Sequence, residues 1–186
     1  MTLLEMKKKI LSLIEEIDTN ETSLTGDPDI EQKLNHVINQ IMFELARFKK
    51  IPGYVEIEVN RGDLVKFEDI EAADGYEVFQ LGIVRGIDFE FRADGTIIKC
   101  MEDGTVEIDY YRYPERITEN TKDSYEFELS LDVLEILPYG AAADLLKSDV
   151  SNNYGQIYEE RYRYMVDRLD SRYKMMGAVT FDGGYI

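Results

Sequence analysis

Apolar positions near the start of the chain recur at helical spacing. Leu3, Leu4, Ile10, Leu11, Leu13, Ile14 and Ile17 predict an amphipathic helix over 3–17. The polar stretch DTNETSLTGD separates it from a second helical pattern. There Asp27 is placed to cap, Pro28 takes the first helical position, and Asp29 and Glu31 occupy the first turn, where the helix dipole favours negative charge. Leu34, Val37, Ile38, Ile41, Met42 and Leu45 form its apolar stripe. Arg47, Lys49 and Lys50 fall at its C-terminal end, and Pro52-Gly53 is expected to stop it.

From Tyr54 the pattern switches to period two. YVEIEV alternates, and EVFQLGI, GIDFEFRADG, TIIKCMEDG and TVEIDYYRY continue in short β-like runs. Asp94-Gly95 and Asp103-Gly104 have the composition of hairpin turns. Residues 54–113 therefore predict an antiparallel unit of about four to six strands, ended by Pro114. Helix returns after YEFELS. Ser130 caps LDVLEIL, Leu129 and Leu134 are spaced as a hydrophobic staple, and Pro138 either kinks this helix or starts another. A last helix is expected from about Asn152 to Met175.

None of these helices can bury an apolar face alone, so the expected fold class is α+β. A bundle of about four helices comes from both ends of the chain, 1–53 with 128–176. An antiparallel β subdomain is inserted at 54–127, and 177–186 form a C-terminal tail. A length of 186 residues suits such a domain with an insert.

Composition narrows the chemistry. The formal charge of −17 argues against gripping nucleic acid through its phosphates, which needs clustered Lys and Arg. The amphipathic start, which runs on into Glu15 and Glu16, is not read as a signal peptide, and no apolar run is long enough to span a bilayer. A single cysteine, Cys100, excludes an internal disulfide and fits a reducing compartment. It is read as a small buried residue, with no second cysteine for a zinc site. His36 is the one histidine and falls on the solvated side of the second helix, so a His-based relay has no partner histidine. Glu68, Asp69 and Glu71, or Asp144 and Asp149, could pair as acid and base or hold a cation, but none has calcium-loop spacing. No phosphate loop or dinucleotide fingerprint occurs in context. The expectation is a non-enzyme with no catalytic residues, no cofactor and no metal.

The terminal helix carries the stronger signal. Tyr154, Tyr158, Tyr162, Met165, Leu169 and Tyr173 form one stripe, and Ile157, Arg161, Tyr164 and Arg168 a neighbouring one. A Tyr stripe is most simply half-buried core. Two stripes leave one without a place in the bundle, and Tyr and Arg are enriched at protein interfaces. Ala141, Ala142 and Ala143 are small enough to let this helix approach closely. In the ending GAVTFDGGYI, Val179, Phe181, Tyr185 and Ile186 either fold back on the domain or dock on another chain.

DIEQKLNHVINQIMFELARF, a β insert, then ILPYGAAADLLKSD and YGQIYEERYRYMVDRLDSR resemble, in that order, the head–tail connector (adaptor or head-completion) proteins of tailed bacteriophages. The resemblance covers 27–50 and 129–173 and rests on residue-type patterns. It implies a structural virion protein of the neck, assembled in the bacterial host cytoplasm. It implies a homo-oligomeric ring of about twelve copies beneath the portal protein, with a tail-completion or stopper protein docked below. DNA would pass through without specific binding, and no membrane is involved. Tyr154, Tyr158, Arg161, Tyr162, Tyr164, Arg168, Val179, Phe181, Tyr185 and Ile186 are then the candidate subunit and portal contacts. The competing readings are a stopper or tail-completion protein of the same neck and a small carboxylate-based hydrolase.

Overall fold

The computed structural model describes residues 1–16, 24, 25, 27–93, 95–148 and 153–176, with 170–176 described by backbone only. The elements in chain order are α1 (Leu3–Leu13), α2 (Pro28–Phe48), β1 (Ile51–Val59), β2 (Leu64–Val65), α3 (Phe67–Asp74), β3 (Val78–Arg85), β4 (Phe89–Arg92), β5 (Ile97–Cys100), β6 (Gly104–Arg112), α4 (Leu131–Leu134), α5 (Leu137–Leu145), a 3-10 turn (Leu146–Ser148) and α6 (Tyr154–Met176). The fold class is α+β. Two compact units divide it: Met1–Phe48 together with the described part of Ile117–Ile186, and Lys49–Arg116.

In the first unit, α5 touches α1, α2, α4 and α6. The stripe expected on α2 is buried throughout, from Leu34 to Leu45. Asp27 caps that helix as its sequence implies, its carboxylate accepting from the Asp29 amide at 2.8 Å. At α1, Thr2 and Glu5 form a reciprocal capping box, with Thr2 N–H donating to Glu5 at 2.8 Å and Glu5 N–H to Thr2 Oγ1 at 3.2 Å. This helix ends at Leu13, short of the expected 17. Glu15 takes φ 61°, leaving the right-handed helix, and the Glu16 amide donates back to the Leu11 carbonyl at 3.0 Å.

Asn39 is polar inside an apolar helix face and only 8% exposed. Its amide group donates to the Ile117 carbonyl at 2.7 Å, and its side-chain oxygen accepts from the Ile117 amide at 2.8 Å. A buried side chain thus satisfies both backbone groups of a residue with no strand or helix partner. Pro138 sits in the first turn of α5, so it starts a new helix after the four-residue α4.

The second unit holds two three-stranded antiparallel sheets, ordered β1-β6-β3 and β2-β5-β4. The long β1–β6 ladder runs from Ile51 opposite Arg112 to Val59 opposite Gly104. Val55, Val59, Val106, Ile108 and Tyr110 bury one face of that pair with Ile70, Ile98 and Cys100 in the core of this unit. Gly53 lies against the Tyr110 ring, which leaves no room for a Cβ. Tyr110 donates its hydroxyl to Asp74.

Four expectations change here. Pro52 and Gly53 pair with β6 inside a strand, while α2 has already ended at Phe48. The boundaries placed at 53/54 and 127/128 fall at 48/49 and 116/117, because Ile51 already pairs with Arg112 and Ile117 is bonded to Asn39. Asp103-Gly104 does not close a hairpin, since β5 and β6 belong to different sheets. Asp103 instead accepts from the Arg61 amide at 2.7 Å, tying two connections together. Finally, residues 67–74 form a helix within the stretch read as strands.

Candidate functional site

The expected site is the outer surface of α6, and its geometry begins with how α6 is seated. Gly140 on α5 lies directly against α6. A Cβ built there would stand 2.8 Å from Tyr162 Cε2 and 3.0 Å from Ile41 Cγ2. Ala141 and Ala142 are fully buried beside it. Ala143, expected to pack like them, is only partly buried and lines a groove. The small-residue surface therefore centres on Gly140, one position before the alanines.

The two stripes of α6 part company on this seat. Tyr162, Val166 and Leu169 are buried, and Tyr158 and Met165 partly so. The Tyr158 hydroxyl donates to the Leu13 carbonyl at 2.6 Å, fastening the helix to the end of α1. Burial raises the Tyr158 phenol pKa, with the charge of Glu15 adding to it. Tyr162 is more deeply placed. Its hydroxyl is closed off from solvent beside Glu44. Burial first, and the Glu44 charge second, hold its pKa far above the ordinary value.

Ile157, Arg161, Tyr164 and Arg168 all face outward, Ile157 with 53% and Tyr164 with 60% exposure. Tyr154, from the other stripe, is also exposed and stacks on Tyr158 with ring centroids 6.4 Å apart. The arginines are held in place. The Arg161 guanidinium lies 4.4 Å from the centroid of the Tyr139 ring, and Arg168 donates to the Tyr164 hydroxyl at 3.2 Å. A stacked guanidinium keeps its in-plane N–H fork directed sideways, which suits a carboxylate. Val179, Phe181, Tyr185 and Ile186 lie outside the described residues, as do Asp149 and the side chain of Tyr173.

Three of the carboxylates weighed as acid–base candidates are engaged by neighbouring groups, and Glu68 is exposed. Asp69 accepts from the Lys66 amide at the start of α3 at 2.8 Å, and Glu71 from the Val78 amide at 2.8 Å. Asp144 faces Lys147 at 3.8 Å. His36 is exposed, on the solvated side expected for it. Cys100 is buried, and that burial, followed by the charge of Asp63, raises its thiol pKa. Among the described residues no group of three His, Cys, Asp or Glu side chains could hold a metal ion. No helix among them is long and apolar enough to cross a membrane.

Sequence reasoning missed the groove flanking α6. It has a volume of about 520 Å³ and is walled by Gln40, Ile41 and Glu44 of α2, by Gly140, Ala143 and Asp144 of α5, and by Gly155, Gln156, Glu159, Tyr162 and Arg163 of α6. Lys147 and Arg163 are paired with Asp144 and Glu159, while Glu44 makes no ion pair among the described residues. The only available signal was Glu44 and Gln40 lying beside the apolar stripe of α2.

Comparison with protein-family models gives no match for this chain, and comparison with curated proteins gives none either.

Proposed function

We propose that the protein is a structural component of a tailed-phage neck, a ring adaptor that joins portal to tail and extends the DNA channel. The observation that carries this reading is α6. One side is locked onto a glycine- and alanine-lined helix, and the exposed remainder presents Ile157, Arg161, Tyr164 and Arg168 as a preorganised aromatic and basic surface. Such surfaces bind proteins, since rigid aromatic and arginine side chains lose little freedom on association. In this reading the helices from both ends of the chain form one bundle, with the β unit as its insert. The assembled location is the virion neck, and the protein performs no catalysis and needs no metal.

Charge supports the same role. A formal charge of −17 per copy, multiplied around a ring of about twelve, would set an acidic wall that repels phosphates and lets the duplex slide. Val179, Phe181, Tyr185 and Ile186 then act as a latch on portal or on a neighbouring subunit.

The test mixes the purified protein with a portal ring from the genome that encodes it and follows the product by light scattering and electron microscopy. A ring seated on portal is the expected result. A chain that ignores portal and instead turns over a substrate or binds a metal tightly would replace this reading with an enzymatic one. Deletion of residues 178–186 is expected to leave the melting temperature unchanged and abolish portal binding. Lowered melting with binding retained would place the tail on its own domain.

A further inference from the structure

The groove and the aromatic–basic face occupy different sides of the same helix. At about 100° per residue, Arg161, Tyr164 and Arg168 fall roughly 100–180° round the helix from Gly155, Glu159 and Tyr162. We infer that the groove between α2, α5 and α6 is the receptor for the Arg161 face of a second copy of this chain, a head-to-tail contact that rests on the ring-adaptor reading above.

The charges match. Three carboxylates, Glu44, Asp144 and Glu159, line the groove against two cations, and both cations are engaged with Asp144 and Glu159. Glu44 is left as the exposed acid without a basic partner among the described residues. Beside it the buried Tyr162 hydroxyl finds no partner in full hydrogen-bond geometry among the described residues. A guanidinium N–H fork entering here would pair with Glu44, and a small movement of that carboxylate would open the phenol oxygen as a second acceptor. Arg161 presents such a fork, already stacked over Tyr139. A groove of about 520 Å³ has room for one arginine side chain and part of the aromatic ring beside it.

The geometry also fixes the kind of assembly. A contact between two different patches of one chain is heterologous, and it propagates until it closes into a ring or grows as a filament. Copies that each carry a formal charge of −17 repel one another, so an arginine docked on a carboxylate is the means by which such copies can approach.

Light scattering over a dilution series tests the contact. The wild-type chain is expected to self-associate. Arg161→Glu and Glu44→Arg should each weaken association by about tenfold or more, with circular dichroism unchanged because both positions are exposed. Mixed one to one, Arg161→Gln and Glu44→Gln should give a dimer and nothing larger, because that pair retains a single intact contact, whereas the two charge reversals would meet as opposite charges and restore a second. Arg161→Gln and Glu44→Gln repeat the test if charge reversal disturbs the fold. A wild-type chain that stays monomeric throughout, a variant that associates like wild type, or a mixture that stays monomeric would overturn the inference. A chain that remains monomeric here yet joins a portal ring keeps the neck reading and loses only this contact.

Discussion

Gly140 packs against the ring of Tyr162 so closely that a methyl group on its Cα would stand 2.8 Å from the ring edge. Alanine is the better helix former by about 1 kcal/mol, but overpacking a filled site costs about 1–3 kcal/mol. Tyr162 is buried and Ile41 lies at 3.0 Å on the other side, so neither can yield freely. Gly140→Ala should therefore destabilise by roughly 1–2 kcal/mol. Gly155→Ala, whose new methyl would meet Leu146 at 3.3 Å from its Cβ and 3.5 Å from its carbonyl oxygen, should be neutral or stabilising. Urea unfolding of the two variants side by side decides the matter, and equal midpoints would remove Gly140 as the contact that seats α6.

Asn39 supports a second prediction. It bonds both backbone groups of Ile117 from a site that is 8% exposed. Asn39→Leu leaves a buried amide and a buried carbonyl unpaired, at about 1–3 kcal/mol for each group. Asn39→Asp keeps the acceptor but removes the donor and adds a buried charge, and should be at least as damaging. Hydrogen exchange at the Ile117 amide gives a local readout: protection should fall in Asn39→Leu and persist in Asn39→Asp. Full protection in the leucine variant would show that the amide finds another acceptor.

The helices that sequence made legible are those whose apolar stripe is long and whose ends carry chemistry. The stripe of α2 and its Asp27 cap were both readable, because burial at a period of 3.6 and a carboxylate before a proline have few alternatives. The β unit was readable as alternation but not as topology. Which strand lies beside β6 depends on contacts far apart in sequence, and Asp103-Gly104 looks the same whether it closes a hairpin or crosses between sheets. The short α3 buries only Ile70, too little to set a period. On α6 both stripes were visible, but their division into seat and surface was set by Gly140, a residue on another helix. The groove was hidden for the same reason, since Glu44 and Glu159 meet only in space.

Buried phenols with raised pKa values are expected to make the protein sensitive to alkali, Tyr110 and Tyr162 foremost. Tyr110 is buried with its hydroxyl on Asp74, and Tyr162 is buried beside Glu44. Burial, and then the neighbouring carboxylate, raise both pKa values above the ordinary 10.0. The folded state thus favours the neutral phenol. Its contribution is complete below pH 10 and is lost as pH rises towards the folded pKa values. Denaturant midpoints should hold steady to about pH 10 and then fall. Tyr162→Phe should flatten that fall with little loss at neutral pH, because it removes a hydroxyl with no partner in full hydrogen-bond geometry among the described residues. Tyr110→Phe should flatten it too, but at a cost at neutral pH because the bond to Asp74 goes. An alkaline limb unchanged in both variants would mean other groups control it.

Ile157 and Tyr164 separate association from folding. Both are large, more than half exposed, and on the side of α6 that faces away from α5. Replacing either with serine removes no buried contact of the isolated chain, so stability should change by no more than about 0.5 kcal/mol. Association is another matter. Exposed aromatic side chains at the centre of an interface commonly contribute about 2 kcal/mol or more, and Tyr164 also holds Arg168 through its hydroxyl at 3.2 Å. Tyr164→Ser should therefore weaken portal binding or self-association by about thirtyfold, and Ile157→Ser by less. Tyr164→Phe keeps the ring and loses the bond to Arg168, so it should fall between wild type and serine. Paired melting and binding measurements on these three variants test the assignment. Reduced binding in step with reduced melting would mean that the residues serve the fold. Unchanged binding in Tyr164→Ser would mean that the outer face of α6 is not a docking surface.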